Sequence, residues 1–299
     1  MRRLTAMSAD ARLVGGPRKA GRVGPVFRCA LNLFTDDGSV ITVAWPEIGN
    51  GPHVVLLDRA IPLHGLGLEG APFLVERGAL RIGLTGKPLA AEEAECVVEL
   101  GHAALWIRPV APRPGRGWHL RLARARDLVA AEGAPEASHL LAGAEEAFAR
   151  EIARGSVGDI RRGVAVLCGF GPGLTPAGDD YLAGFAGTGA WLAGASRGAR
   201  YRIPWVPSLR SAIHEAAGET NRVSAHILRE FSEGFISETL MAFLKAILTE
   251  TGPDEPSLRT ATRRLLAVGA TSGTELARGA LDALALIAQE KGEESEAAN

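Results

Sequence analysis

Cysteine, net charge and long apolar runs are all scarce in this chain of 299 residues. Its three cysteines, Cys29, Cys96 and Cys168, are far apart, odd in number and without CxxC spacing. That excludes a disulfide framework and a thiolate zinc site, and it points to a reducing compartment. The seven histidines show no metal-ligand spacing either. The formal net charge is -1, which gives no electrostatic case for nucleic acid or for an anionic membrane surface. The most apolar stretch, Tyr181–Ala195, is too short and too rich in glycine to span a bilayer. The opening MRRLTAMSADARLVGG carries arginines but no apolar core of signal-peptide length. These absences predict a soluble, cytoplasmic protein with no membrane and no nucleic-acid partner.

What is present is enough apolar residue, 46%, for a sizeable core, in a length that suits about two domains. Residues 1–20 read as a loose basic leader. Cys29, Leu31 and Leu33 then alternate with Ala30 and Asn32, and a turn at Asp36–Ser39 leads into VITVAW, a hairpin pattern. Val54–Leu57 reads as a strand. Phe73–Val75 and Leu80–Ile82 flank a turn at Glu76-Arg77-Gly78. Ala104–Val110 and Trp118–Leu122 complete a strand-rich half.

Beyond about residue 125 the period becomes helical, with Leu141, Ala144, Phe148 and Ile152 spaced for one face. Val223, Ile227, Leu228 and Phe231 repeat it, as do Leu240, Leu244, Ile247 and Leu248. Leu258, Ala261, Leu265 and Val268 predict a helix stopping at Gly269, and a last helix covers about 274–289. The fold class is α+β. A β-rich, barrel- or sandwich-like domain over 21–125 precedes a mainly α-helical domain over 126–290, and residues 291–299 form a polar tail.

The segment VAVLCGFGPGLTPAGDDYLAGFAG, residues 164–187, carries the functional argument. Gly169, Gly171 and Gly173 recur at every second position, which permits positive φ and close approach of a ligand to the backbone. Thr175 as N-cap and Pro176 at the first helical position predict a helix start, and Gly178 follows in its first turn. A glycine loop feeding a helix N-terminus suits a phosphate or carboxylate. No Gly-Lys-Ser/Thr follows, so it is not a P-loop, and no βαβ series surrounds it. Asp179 and Asp180 fall in the first turn about 100° apart around the axis. One can face the site while the other faces neighbouring backbone or metal. Structure alone, as close helix packing, explains such a glycine pattern about as well.

A second segment, VGATSGTELARGALDA over 268–283, echoes the first. Gly178, Asp180 and Gly184 line up with Gly273, Glu275 and Gly279, and hydroxyls stand just ahead, at Thr175 and at Thr271 or Ser272. Two helix starts converging on one pocket would explain the echo. Between them, GETNRVSAHIL places Thr220, Asn221 and Ser224 on one polar helix face. Cys168 beside the loop reads as a buried thiol or, failing that, a nucleophile.

Together these segments resemble the AllH-like family, the oxamate carbamoyltransferase subunit type. GFGPGLTPAGDDYLAGF resembles its glycine-rich signature, ETNRVSAHIL its middle motif, and VGATSGTELARG its last motif. RVGPVFRCALNLFTDDGSVITV is similar to its opening strands. Asn221 stands where the family has a second threonine, and Glu275 where it has an aspartate. The likeness covers roughly residues 21–290. It implies carbamoyl transfer between oxalurate and phosphate, giving oxamate and carbamoyl phosphate, in ureide and allantoin catabolism. It also implies partner subunits, one of them similar to acyl-CoA synthetase subunits; self-association stays open.

On that reading Gly169, Gly171, Gly173, Thr175 and Gly178, with Ser272, Gly273 and Glu275, hold a small anionic substrate. Thr220, Asn221 and Ser224 hold its amide. Asp179 and Asp180 are the candidate catalytic carboxylates, able to act as bases near neutrality only if burial raises their pKa. No cofactor is required; Mg²⁺ on Asp179, Asp180 and Glu275 is the one metal arrangement the acids suggest. The alternatives are a non-catalytic binding or assembly subunit, and a different phosphate- or carboxylate-dependent transferase or lyase.

Overall fold

The computed structural model describes residues 2–76, 78–84, 86, 95–134, 141, 143–194, 203–249 and 255–297. Arg77 of the second hairpin turn, His139 and the last two residues of the polar tail lie outside them. The chain divides into two compact units, Met1–Arg108 and Pro109–Asn299. The division comes before residue 125 because Trp118–Leu122, read as a strand, belongs to a helix. Trp118, Leu122, Ala125, Leu128 and Val129 turn inward at helical spacing, while Leu120 is exposed. Five residues are too short a window to tell the two periods apart.

The first unit is a β-barrel. Its strands are β1 (Arg2–Asp10), β2 (Lys19–Val26), β3 (Ala30–Thr35), β4 (Val40–Ala44), β5 (Val54–Leu57), β6 (Pro72–Glu76), β7 (Ala79–Ile82), β8 (Cys96–Glu99) and β9 (Ala104–Trp106). They run in the order β5-β4-β3-β2-β6-β7-β8-β1-β9, and β1 also pairs with β5. Eight strands thus close into a ring. β1 spends Arg2–Thr5 on β8 and Ser8–Asp10 on β9 along one edge, while Ala6–Ala9 meet β5 on the other.

The leader expected over residues 1–20 is therefore corrected. Its first half closes the barrel, a short helix α1 (Ala11–Val14) follows, and β2 already begins at Lys19. Its core positions are Leu4, Ala6 and Ala9, two of them alanines, and a register shift between Ala6 and Ser8 breaks the alternation, so almost no hydrophobic signal is left. The expected hairpins stand at β3–β4 and β6–β7. Asn32, polar amid apolar alternation, sits opposite Thr42, whose hydroxyl donates to its Oδ1 at 3.0 Å.

The second unit is helical: α2 (Trp118–Glu132), α3 (Ala144–Arg154), α4 (Val157–Leu167), α5 (Ala177–Gly194), α6 (Val206–Ala216), α7 (Arg222–Ser232), α8 (Glu238–Leu248), α9 (Glu255–Leu266) and α10 (Ser272–Ala297). The apolar stripes read from the sequence occupy α3, α7, α8 and α9. The backbone of α10 runs beyond 290 into the expected tail, whose Lys, Glu and Ala are good helix formers. No described helix is long and apolar enough to cross a membrane.

The centre of this unit is α5, buried on every side from Ala177 to Leu192. It lies against α10 in parallel, their N-termini side by side. Two glycines make this possible. A Cβ on Gly184 would stand 2.1 Å from the carbonyl oxygen of Leu276, and one on Gly279 2.0 Å from that of Tyr181. Likewise Gly178 abuts the carbonyl of Leu167 at the end of α4, and Gly273 that of Leu265 at the end of α9. With Gly178 matched to Gly273, the Gly184 and Gly279 contacts exchange residue for residue, and Gly178 and Gly273 each abut the end of the preceding helix. The pairs α4–α5 and α9–α10 are therefore related by an approximate twofold axis along the helices. Close packing accounts for all four glycines of the echo, more fully than the spacing suggested.

Candidate functional site

The loop between α4 and α5 is built by its glycines and held by side chains from outside it. Gly169, Gly171 and Gly173 have φ of 75°, 117° and 98°, a region L-residues avoid. The loop does not lead to a threonine N-cap. The N–H of Asp180 reaches the carbonyl of Pro176, so Pro176 is the capping residue and Thr175 stands one position outside. Thr175 is thereby freed to meet the other helix start, where its Oγ1 lies 2.9 Å from Oγ of Ser272.

The two adjacent aspartates have different tasks, as their separation around the axis requires. Asp179 faces backward. Its Oδ1 accepts from the N–H of Gly169 at 2.7 Å, and its Oδ2 from the hydroxyl of Thr220 at 2.5 Å. Both oxygens are thus engaged in tethering the loop. Asp180 faces α10. It is 7% exposed, the hydroxyls of Ser272 and Thr175 address its carboxyl, and its Oδ2 is buried with no hydrogen-bond partner. Burial, opposed by the Ser272 hydroxyl and reinforced by the nearby charge of Asp179, pushes its pKa up to about 7.

The middle motif serves the loop as well. Thr220 does not share a helix face with Ser224: it is extended and lies ahead of the helix. Asn221 caps α7, its Oδ1 accepting from the N–H groups of Val223 and Ser224, which forces the helix to begin at Arg222. Ser224 is buried and donates to the carbonyl of Leu174 at 3.3 Å. The three residues expected to bind an amide are already occupied, two of them in bracing the glycine loop.

Glu275, the counterpart of Asp180 on α10, is wholly buried and faces away from the loop. It pairs with Arg278 at 3.3 Å. Burial raises it to about 7 against the pull of Arg278. Arg278 also pairs with Glu145. Behind them the hydroxyl of Tyr181 donates to Asp282 at 2.8 Å, and Arg126 meets the other oxygen of Asp282 at 2.8 Å. Sequence reading missed Glu145, Arg126 and Asp282, which lie on helices α3, α2 and α10 and carry no local motif. Asp179, Asp180 and Glu275 do not form a metal-binding group among the described residues. Cys168 is held by the carbonyl of Ala216 at 3.2 Å. Burial and the adjacent Asp179 push its thiol up to about 12, which suits packing and not nucleophilic attack.

Most first-turn amides have also been taken, those of Ala177 and Ser272 excepted. The N–H of Gly178 donates to Phe170, those of Asp179 and Asp180 to Pro176, that of Gly273 to Val268, and those of Thr274 and Glu275 to Thr271. The loop amides of Gly171, Gly173, Leu174 and Thr175 have no protein partner among the described residues. Most of the open donors therefore lie in the loop, one step ahead of the helix, beside two positive helix ends.

Residues 167–284 match the family described as oxamate carbamoyltransferase subunit AllH, and residues 5–101 match the AllH family N-terminal domain. No solved structure matches the chain. The first match begins at the last residue of α4 and ends within α10, spanning the glycine loop, the braces on α7 and both helix starts. With both parts matched, this chain belongs to the AllH family, whose description is that of an oxamate carbamoyltransferase subunit.

Proposed function

We propose that this chain is a carbamoyltransferase subunit of ureide breakdown that holds a small anion on the loop 169–175. The reaction is the conversion of oxalurate and phosphate to oxamate and carbamoyl phosphate. The observation that carries the reading is the row of unpaired loop amides at Gly173, Leu174 and Thr175 beside two parallel helix N-termini. Positive helix ends and aimed N–H groups favour a carboxylate or phosphate without a mobile cation. Rigid donors are already in place for charge that develops on the substrate. Asp179, Thr220 and Ser224 supply that rigidity by fixing the loop at both ends.

In the reaction a phosphate oxygen attacks the carbamoyl carbon and the bond from that carbon to the oxamate nitrogen breaks. The leaving nitrogen needs a proton, and an acid near neutrality is the group that can supply one. Phe170 and Leu174 flank the loop with their side chains 45% and 42% exposed. Such apolar exposure at a site mouth suits coverage by another subunit of the complex, which favours a site completed on assembly.

Calorimetry of the purified chain with oxamate, oxalurate, phosphate and carbamoyl phosphate tests the reading. Binding that Gly173→Ala weakens by tenfold or more supports a site in this chain. A Cβ there meets open space on the protein side, so any loss comes from the altered loop backbone and its contact with ligand. Binding that appears only after partner subunits are added moves the role to assembly. Inertness in both settings removes the anion-site reading.

A further inference from the structure

The two halves of the helical repeat are closed by turns with the same hydrogen bonds. Between α4 and α5 the N–H of Phe170 donates to Leu167 and that of Gly178 to Phe170. Between α9 and α10 the N–H of Val268 donates to Leu265 and that of Gly273 to Val268. Asp179 and Asp180 share the carbonyl of Pro176 as Thr274 and Glu275 share that of Thr271. In the second turn two residues, Gly269 and Ala270, span the gap from Val268 to Thr271. In the first turn five residues, 171–175, span the matching gap from Phe170 to Pro176. The same helix junction therefore closes without the added length, and packing inside the chain does not call for it.

The side chains around the longer turn differ as well. Leu174 lies in the added length and is exposed. Phe170 is exposed where Val268 is half-buried. Val166, one turn back on α4, is exposed and stands where α9 carries Arg264. An arginine there is ordinary surface. Residues 163–178 contain no charged side chain at all. Three large apolar groups on an uncharged surface beside a binding loop are what a protein interface presents.

Charge says what the covering surface must bring. No lysine or arginine occurs in residues 163–196 or 265–277, which hold both turns and both helix starts. Arg278, next along α10, is committed to Glu275 and Glu145. An anion on the loop thus meets neutral N–H groups and partial helix charges, with Asp179 and Asp180 in the first turn behind them. Phosphate is more highly charged than oxamate, and a guanidinium or ammonium group is its usual counter-charge.

Resting on the anion-site reading above, we infer that Val166, Phe170 and Leu174 form the docking face for a different subunit of the carbamoyltransferase. That subunit seats an apolar pocket on them and brings an arginine or lysine to the anion on loop 169–175. The family is described as that of a subunit. A second copy of this chain, docked face to face across a twofold, would present the same uncharged surface and supply no cation. The site is shared: this chain provides the N–H donors and the partner the counter-charge. Docking also removes water from the loop, which strengthens each polar contact there.

The test is calorimetry with phosphate and with oxamate, on the full chain alone and on the complex reconstituted with the other subunits. Sedimentation follows assembly. The complex should bind phosphate about tenfold or more tightly than the chain alone, and salt should erode that gain. Val166→Asp, on α4 outside the loop, should weaken assembly about tenfold or more. By itself that variant should melt within a few degrees of the wild type and bind oxamate as the wild type does. Phe170→Ser should weaken assembly in the same way.

Assembly of both variants at wild-type affinity overturns the docking face while leaving the anion site standing. A complex that depends on these residues yet binds phosphate no better than the chain alone overturns the partner's cation. Self-association of the chain that both variants lose overturns the choice of a different subunit and gives the face to a second copy. An absence of anion binding in chain and complex alike, with assembly still lost in the variants, removes the anion-site reading and the counter-charge and supports the docking face alone.

Discussion

Asp180 and Asp179 are chemically identical neighbours, and only their partners tell them apart. Asp179 accepts two hydrogen bonds, while Asp180 faces a neighbouring helix start with an unbonded oxygen. The difference makes a stability prediction with a definite sign. The folded pKa of Asp180 is raised from the ordinary 3.8 to about 7. Between those values the folded chain holds a proton that the unfolded chain has released. Stability contributed at this position therefore falls as pH rises through that window and is level above it. Asp180→Asn removes the slope. Its amide inherits the unpaired position, so the clean readout is the difference between two pH values. Urea midpoints at pH 5 and 8 should show the variant gaining on the wild type by roughly 1–3 kcal/mol at the higher pH, since a tenfold difference in proton affinity is worth about 1.4 kcal/mol. A gain equal at both pH values would mean that Asp180 is ionised throughout. Glu275 leaves a residual slope of the same sign. Sequence alone pointed to the aspartate pair and to a division of labour. It could not say which acid was which, because that depends on Thr220 and Ser272, each far along the chain.

Among the elements, the helices with strong apolar stripes were legible, and so were the hairpins with clear turn residues. β1 and α2 were not, since the one is made of small residues and the other was sampled over too few. The echo between 164–187 and 268–283 was visible as spacing, and the structure gives its cause in the reciprocal contacts of α5 and α10. Glycine here is required by distance. A methyl on Gly184 or Gly279 would sit about 2 Å from a carbonyl oxygen of the facing helix. The two helices would have to part along the most extensive interface in the unit. Gly279→Ala should cost at least about 1–3 kcal/mol, the usual range for overpacking, as a lowered thermal midpoint with or without ligand. Gly173→Ala has room but a φ of 98°, so its cost is strain of about 1–3 kcal/mol, confined to an exposed loop. Comparing the two melts separates a fold glycine from a site glycine. Equal destabilisation would mean that the loop, too, is part of the helix packing.

At the scale of the whole molecule the chain joins a closed barrel to a helical unit built around a twofold-like pair, and the candidate site lies wholly in the latter. The barrel depends on the residues that looked most dispensable. β1 supplies the pairing for β5 on one side and β8 on the other, and Leu4, Ala6 and Ala9 turn into the core. Without it two strand edges stand open, with unpaired N–H and C=O groups that recruit other chains. Removing residues 2–10 should therefore open the barrel and expose residues 19–108 to protease. The helical unit, compact in its own right from Pro109, should persist as a protected fragment. Mass spectrometry of a limited digest reads both outcomes at once. A truncated chain whose barrel resists cleavage as well as the wild type would show that the other seven strands close without β1. The basic, small-residue opening would then be the leader its composition suggested. A digest that destroys both units together would show that the helical unit relies on the barrel for its stability.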